Sequence, residues 1–141
     1  SAGVETDLFV CTVPAGYLGT KECIEVEGFG TFAASANNKR ILVRVAGYAV
    51  LDTTARGFNG ETWFVKVRWQ RNSSGSTRVI VEFTSYKSDG GSPPGNGSNL
   101  PLMVATYDSG SYSGDIKISA IPTAAEAAVT LVFMRFKTSR A

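Results

Sequence analysis

The chain has 141 residues, 43% of them hydrophobic and only 18% charged, with 15 glycines, two cysteines and no histidine. That length suits one domain burying roughly two-thirds of the surface its unfolded chain exposes, so no disulfide framework is needed. The 14 basic and 12 acidic side chains leave a net charge of +2, too little to mark a nucleic-acid binder; the missing histidine removes histidine-dependent triads, bases and metal sites, and no apolar run approaches the roughly 18 residues of a membrane-crossing helix.

In chain order, Leu8 to Val13 reads as a first strand closed by Pro14 and Gly16. Between Ile24 and Val45, two alternating runs flank an Ala-, Ser- and Asn-rich connection: Ile24 and Val26 in the first, Ile41, Val43 and Val45 in the second. This is the period-two signature of half-buried strands, and it predicts an antiparallel hairpin extending to Val50. Gly28 and Gly30, on either side of Phe29, predict a bulge or bend. Cys11 and Cys23 are expected on neighbouring strands as free thiols, because a full-size core needs no covalent staple, and with no CxxC and no third sulfur ligand zinc is not expected.

After a turn-rich link from Asp52 to Gly60, Glu61 to Arg71 sets Trp63, Val65, Val67 and Trp69 on one face and Phe64, Lys66, Arg68 and Gln70 on the other. A tight loop leads into Thr77 to Tyr86, with Val79, Val81 and Phe83 inward, so the pair predicts a second hairpin. Tryptophan faces stack well on sugars, but these two share a strand face with valines and read as core. On the opposite face Glu25, Glu27, Arg44, Lys66, Arg68 and Glu82 are placed for cross-strand ion pairs, interrupted by Leu42, Phe64 and Ile80. A partly apolar outer face calls for a covering partner, most simply another copy of the chain.

Residues 87 to 101, KSDGGSPPGNGSNLP, cannot sustain a ladder and form a long loop. Leu102 to Tyr107 is then a short strand, Ser109 to Gly114 a Gly/Ser/Tyr loop, and Ile116 to Ile121 another strand. An alanine-rich connection with a single helical turn at 124 to 128 leads to a final run, Val129 to Phe136, that is apolar on both faces and is expected to be a central strand or a subunit interface. The fold class is therefore all-β: a single-domain, antiparallel, jelly-roll-like β-sandwich of about eight strands.

Thr12, Pro14, Ala15 and Leu18, then Phe29, Gly30, Thr31 and Ala33, then Asn37, Asn38 and Lys39 follow the order T-x-P-A-x-x-L, W/F-G-T-x-A, A-N-N-K. Over residues 8 to 47 this pattern resembles the β-sandwich domain at the C-terminal ends of bacteriophage tail fibre and tailspike proteins. The resemblance implies the C-terminal part of a longer virion protein, assembled in the host cytoplasm, that trimerises and attaches to a host cell-surface glycan. Two alternatives stay open: a structural trimer cap without a ligand, and a free-standing carbohydrate-binding module or lectin.

No catalytic constellation is expected. Asp89, Asp108 and Asp115 are candidates for a glycosidase pair, yet Asp beside Gly and Ser is ordinary turn chemistry, and DGGSPPGNG lacks the lysine and helix of a phosphate loop. The expectation is a binding protein without enzyme activity, cofactor, metal, nucleic-acid partner or membrane insertion. If it reads a glycan, the two long loops are expected to share one end of the molecule and to supply Tyr86, Tyr107 and Tyr112 as stacking rings, with Asp89, Asn96, Asn99 and Asp108 as hydrogen-bonding groups.

Overall fold

The computed structural model describes residues 3–18, 22–35, 37–73, 75–86, 102–110, 113–122 and 129–140. Among them there are nine strands and no helix: β1 (Thr6–Val13), β2 (Glu22–Phe32), β3 (Lys39–Val45), β4 (Tyr48–Asp52), β5 (Thr62–Ser73), β6 (Ser76–Tyr86), β7 (Met103–Ser109), β8 (Gly114–Pro122) and β9 (Val129–Arg140). They form two antiparallel sheets, a four-stranded one in the order β1-β8-β3-β4 and a five-stranded one in the order β7-β6-β5-β2-β9. The sandwich expected from the sequence is thus present. Its jelly-roll-like character lies in the chain crossing between sheets at β1/β2, β2/β3, β4/β5, β7/β8 and β8/β9.

The β5/β6 hairpin forms as the alternation foretold, with Trp63 opposite Ser85 and Val67 opposite Val81. The Ile24–Val45 hairpin does not form. β2 pairs with β5 and β9 in the large sheet, while β3 pairs with β8 and β4 in the small one. Alternation fixes which side chains face inward but not which strand supplies the partner. The tight hairpin near here is β3/β4, turned by Ala46 and Gly47, both at positive φ (50° and 84°), the conformation of a type I′ connection.

The core is one cluster to which both sheets contribute, including Ile24, Val26, Ile41, Val43, Val67, Val81 and Ile118. Trp63 and Trp69 are fully buried within it, so the core reading of the tryptophans holds. Each removes on the order of 150 to 250 Å² from water. The Trp69 indole N–H donates to Thr77 Oγ1 at 2.8 Å. Phe32 stacks on Phe58 at 4.2 Å and 2°, sealing one end of the core.

At that same end Lys39, the lysine of the A-N-N-K segment, is fully buried. Its ammonium donates to the carbonyl oxygens of Ser35 (2.9 Å), Asn37 (2.8 Å) and Phe58 (2.6 Å), tying the β2–β3 and β4–β5 connections together. Burial pushes its pKa down, and the nearby, equally buried Glu61 pulls it back up. Glu61 Oε2 accepts from the backbone N–H of Asn59.

Several expectations are corrected by the sheet order. Cys11 and Cys23 are free thiols on strands of different sheets, so they are not neighbours. Leu42 lies on the small sheet, opposite Ser119, and is 3% exposed, so it does not interrupt the charged face of the large one. β9 is an edge strand, not a central one. The helical turn at 124–128 lies outside the described residues.

Candidate functional site

The outer face of the five-stranded sheet is built of cross-strand rows, because antiparallel pairing sets residues of matching register side by side on one face. One row holds Tyr86, Thr62, Thr31 and Thr130. The next holds Thr84, Phe64, Phe29 and Phe133, and beside it runs Glu82, Lys66, Glu27 and Arg135. A further row holds Ile80, Arg68, Glu25 and Lys137. Hydroxyls, aromatic rings and alternating charges thus lie in parallel bands.

The charged bands are nearly self-neutralised. Glu25, 7% exposed, faces Lys137 (2.7 Å), Lys66 (3.3 Å) and Arg68 (3.6 Å), and Glu27 pairs with Arg135. Burial pushes the Glu25 carboxyl up, but hydrogen bonds from Lys137 and Lys66 more than reverse that and leave it below its ordinary value. Of the six residues placed for cross-strand pairing, Arg44 instead reaches Glu5 on the other sheet's side at 3.1 Å. Glu82 makes no ion pair among the described residues, since its cross-strand neighbour Lys66 turns to Glu25.

The aromatic band is the apolar feature of this face. Phe29 lies 6.1 Å from both Phe64 and Phe133, tilted by 39° and 31°, so the rings line a trough rather than stacking face to face. Phe64 is 44% and Phe133 52% exposed. With Leu102, Thr84 and the adjacent charges they enclose an open basin of about 340 Å³. Phe64 is on the outer face as its alternation predicts, whereas strict alternation along β9 would put Phe133 on the same face as Leu131. A register break between Phe29 and Gly30 absorbs Val132 and reverses the parity of β9, so Leu131 faces Gly30 inward and Phe133 lies outside. The two glycines were the signal: a side chain at Gly28 would run into the backbone of Phe133 and Met134, and one at Gly30 into Thr130 and the Trp63 ring.

Of the seven residues expected to serve loop recognition, the three described ones, Tyr86, Tyr107 and Asp108, do not gather at one place. Tyr86 is exposed at the end of β6 beside Thr62, whereas Tyr107 and Asp108 pair with Val79 and Arg78 near the opposite end of that strand. Val79 and Tyr86 are seven steps apart along the extended strand, about 23 Å. Tyr107 stacks on Tyr48 of β4 at 3.8 Å and 10°, closing the open side of the sandwich between the edges β4 and β7. Asp108 is held by Arg78 at 2.8 and 3.1 Å, and those hydrogen bonds hold its carboxyl below the usual range. Asp89, Asn96, Asn99 and Tyr112 lie outside the described residues.

On the opposite side β1 and β9 form the two free edges and touch. Phe136, at the end of the run that reads as apolar on both faces, pairs in register with core-facing Val26 and overhangs this open side, 6.3 Å from the Tyr17 ring. Tyr17, Val132 and Phe136 are all exposed there. Among the described residues, no group of three or more His, Cys, Asp or Glu side chains is placed to hold a metal ion, and no helix is long and apolar enough to cross a membrane. No family model, no curated protein and no solved structure matches the chain.

Proposed function

We propose that this chain is the C-terminal β-sandwich module of a bacteriophage tail fibre or tailspike, that it associates as a homotrimer, and that it attaches the particle to polysaccharide on the host surface. The observation that carries the reading is the open β1/β9 side. β9 is a 12-residue edge strand whose outer side has no strand partner among the described residues, and Tyr17, Val132 and Phe136 expose apolar surface beside it. Exposed apolar edges of this kind are covered by partners in functioning proteins, since uncovered they invite uncontrolled pairing. Another copy of the same chain is the simplest cover. The virion setting is supported by the resemblance over residues 8 to 47, and the glycan by the aromatic band beside alternating donors and acceptors. A screen of the isolated domain on immobilised bacterial surface polysaccharides tests the attachment step. Saturable binding to at least one polysaccharide is expected; absence of binding across the screen by a folded trimer would contradict attachment and favour the structural cap.

A further inference from the structure

We propose that the basin over Phe29, Phe64 and Phe133 is a carbohydrate subsite that takes one uncharged pyranose ring. The inference rests on the attachment reading and names the surface and the class of sugar. A pyranose presents an apolar face of C–H groups and a girdle of hydroxyls, so a site for it needs an aromatic floor with donors and acceptors at the rim. Here the floor is the trough of three tilted rings. The rim supplies Glu82 as an acceptor with no ion-pair partner among the described residues, and the Lys66 and Arg135 heads as donors with N–H groups to spare beyond Glu25 and Glu27. A volume of about 340 Å³ lies at the small end of ligand pockets.

The rim charges decide between occupants. Two carboxylates, Glu27 and Glu82, face two cations, Lys66 and Arg135, so the basin presents no net charge to attract an anionic or a cationic ligand. A second protein copy laid over the rings would take Glu82 out of water while the nearby cations Lys66 and Arg135 are engaged by Glu25 and Glu27, which is costly. A sugar leaves the rim wet while offering Glu82 a hydroxyl donor.

Saturation-transfer NMR with methyl β-D-glucopyranoside, methyl β-D-galactopyranoside and N-acetylglucosamine tests the site, with glucuronic acid and glucosamine as charged comparisons. Transfer to ring C–H protons of at least one neutral probe is expected, weakened about tenfold or more in Phe64→Ala, the loss of one aromatic anchor. Glu82→Gln, which keeps shape and floor, is expected to weaken binding several-fold, and melting curves verify that both variants fold. No transfer from any neutral probe, unchanged transfer in folded Phe64→Ala, or preference for a charged probe would overturn the subsite. So would a change in oligomeric mass on Phe64→Ala, which would make this face a subunit contact. If Phe64→Ala leaves polysaccharide binding by the trimer intact, the subsite falls and attachment stands; a monomer that binds no polysaccharide removes both.

Discussion

Replacing Lys39 with Met tests whether the buried ammonium fastens one end of the sandwich. The side chains are of similar length, so the variant removes the charge and three donated hydrogen bonds while leaving little cavity. A hydrogen bond to a charged group contributes about 1.5 to 3 kcal/mol, but three on one ammonium are not additive, and the variant also removes the cost of burying the charge. It strands Glu61, fully buried and with Oε1 unpartnered already, next to an apolar group. Breaking a buried charged arrangement from one side costs about 3 to 5 kcal/mol, and about 3 kcal/mol is the expected net. For a chain of this length that lowers Tm by roughly 6 to 12 °C. Thermal unfolding followed by circular dichroism reads it directly, and Lys39→Met with Glu61→Gln should recover part of the loss. A Tm for Lys39→Met within about 2 °C of the parent would show that the ammonium does not hold the two connections.

Gly30→Ala is expected to cost about 3 kcal/mol or to prevent folding, because its Cβ would meet the Thr130 carbonyl oxygen and the Trp63 ring; Gly110→Ala, with open space around it, is the control and should melt as the parent does. Acid should weaken the fold through carboxylates held low: Asp52 by hydrogen bonds from Arg40, Asp108 by Arg78, and Glu25 by Lys137 and Lys66 against the upward push of burial. A carboxylate with a folded pKa below its unfolded value of about 4 stabilises fully above that value and loses the contribution as pH falls through the folded one. Urea midpoints should therefore hold steady from about pH 7 to 5 and drop below about pH 4, less steeply in Asp52→Asn; equal slopes in parent and variant would contradict the assignment.

The inward faces were legible because alternation reports burial directly: Trp63, Val65, Val67 and Trp69 are all core residues. Partnership was not, since Ile24 and Ile41 look alike to a period-two reading whether their strands pair or sit in opposite sheets. β9 shows a second limit of periodicity. One extra residue at Val132 moves Phe133 to the outer face, so an edge strand with a bulge mimics a strand apolar on both sides. Lys39 appears in the sequence only as the end of the A-N-N-K segment, and it takes the closure of two loops over it to bring carbonyls to its ammonium. The aromatic trough escaped for the same reason as the hairpin: Phe29, Phe64 and Phe133 come from strands far apart in the chain, and their meeting is a property of sheet order.

Light scattering after gel filtration at micromolar concentration tests association through the open β1/β9 side most directly. A single species with three times the 15.0 kDa mass of the chain is expected, dissociating when Val132 and Phe136 are replaced by Ser. A monodisperse monomer, or a trimer untouched by those two substitutions, would contradict it.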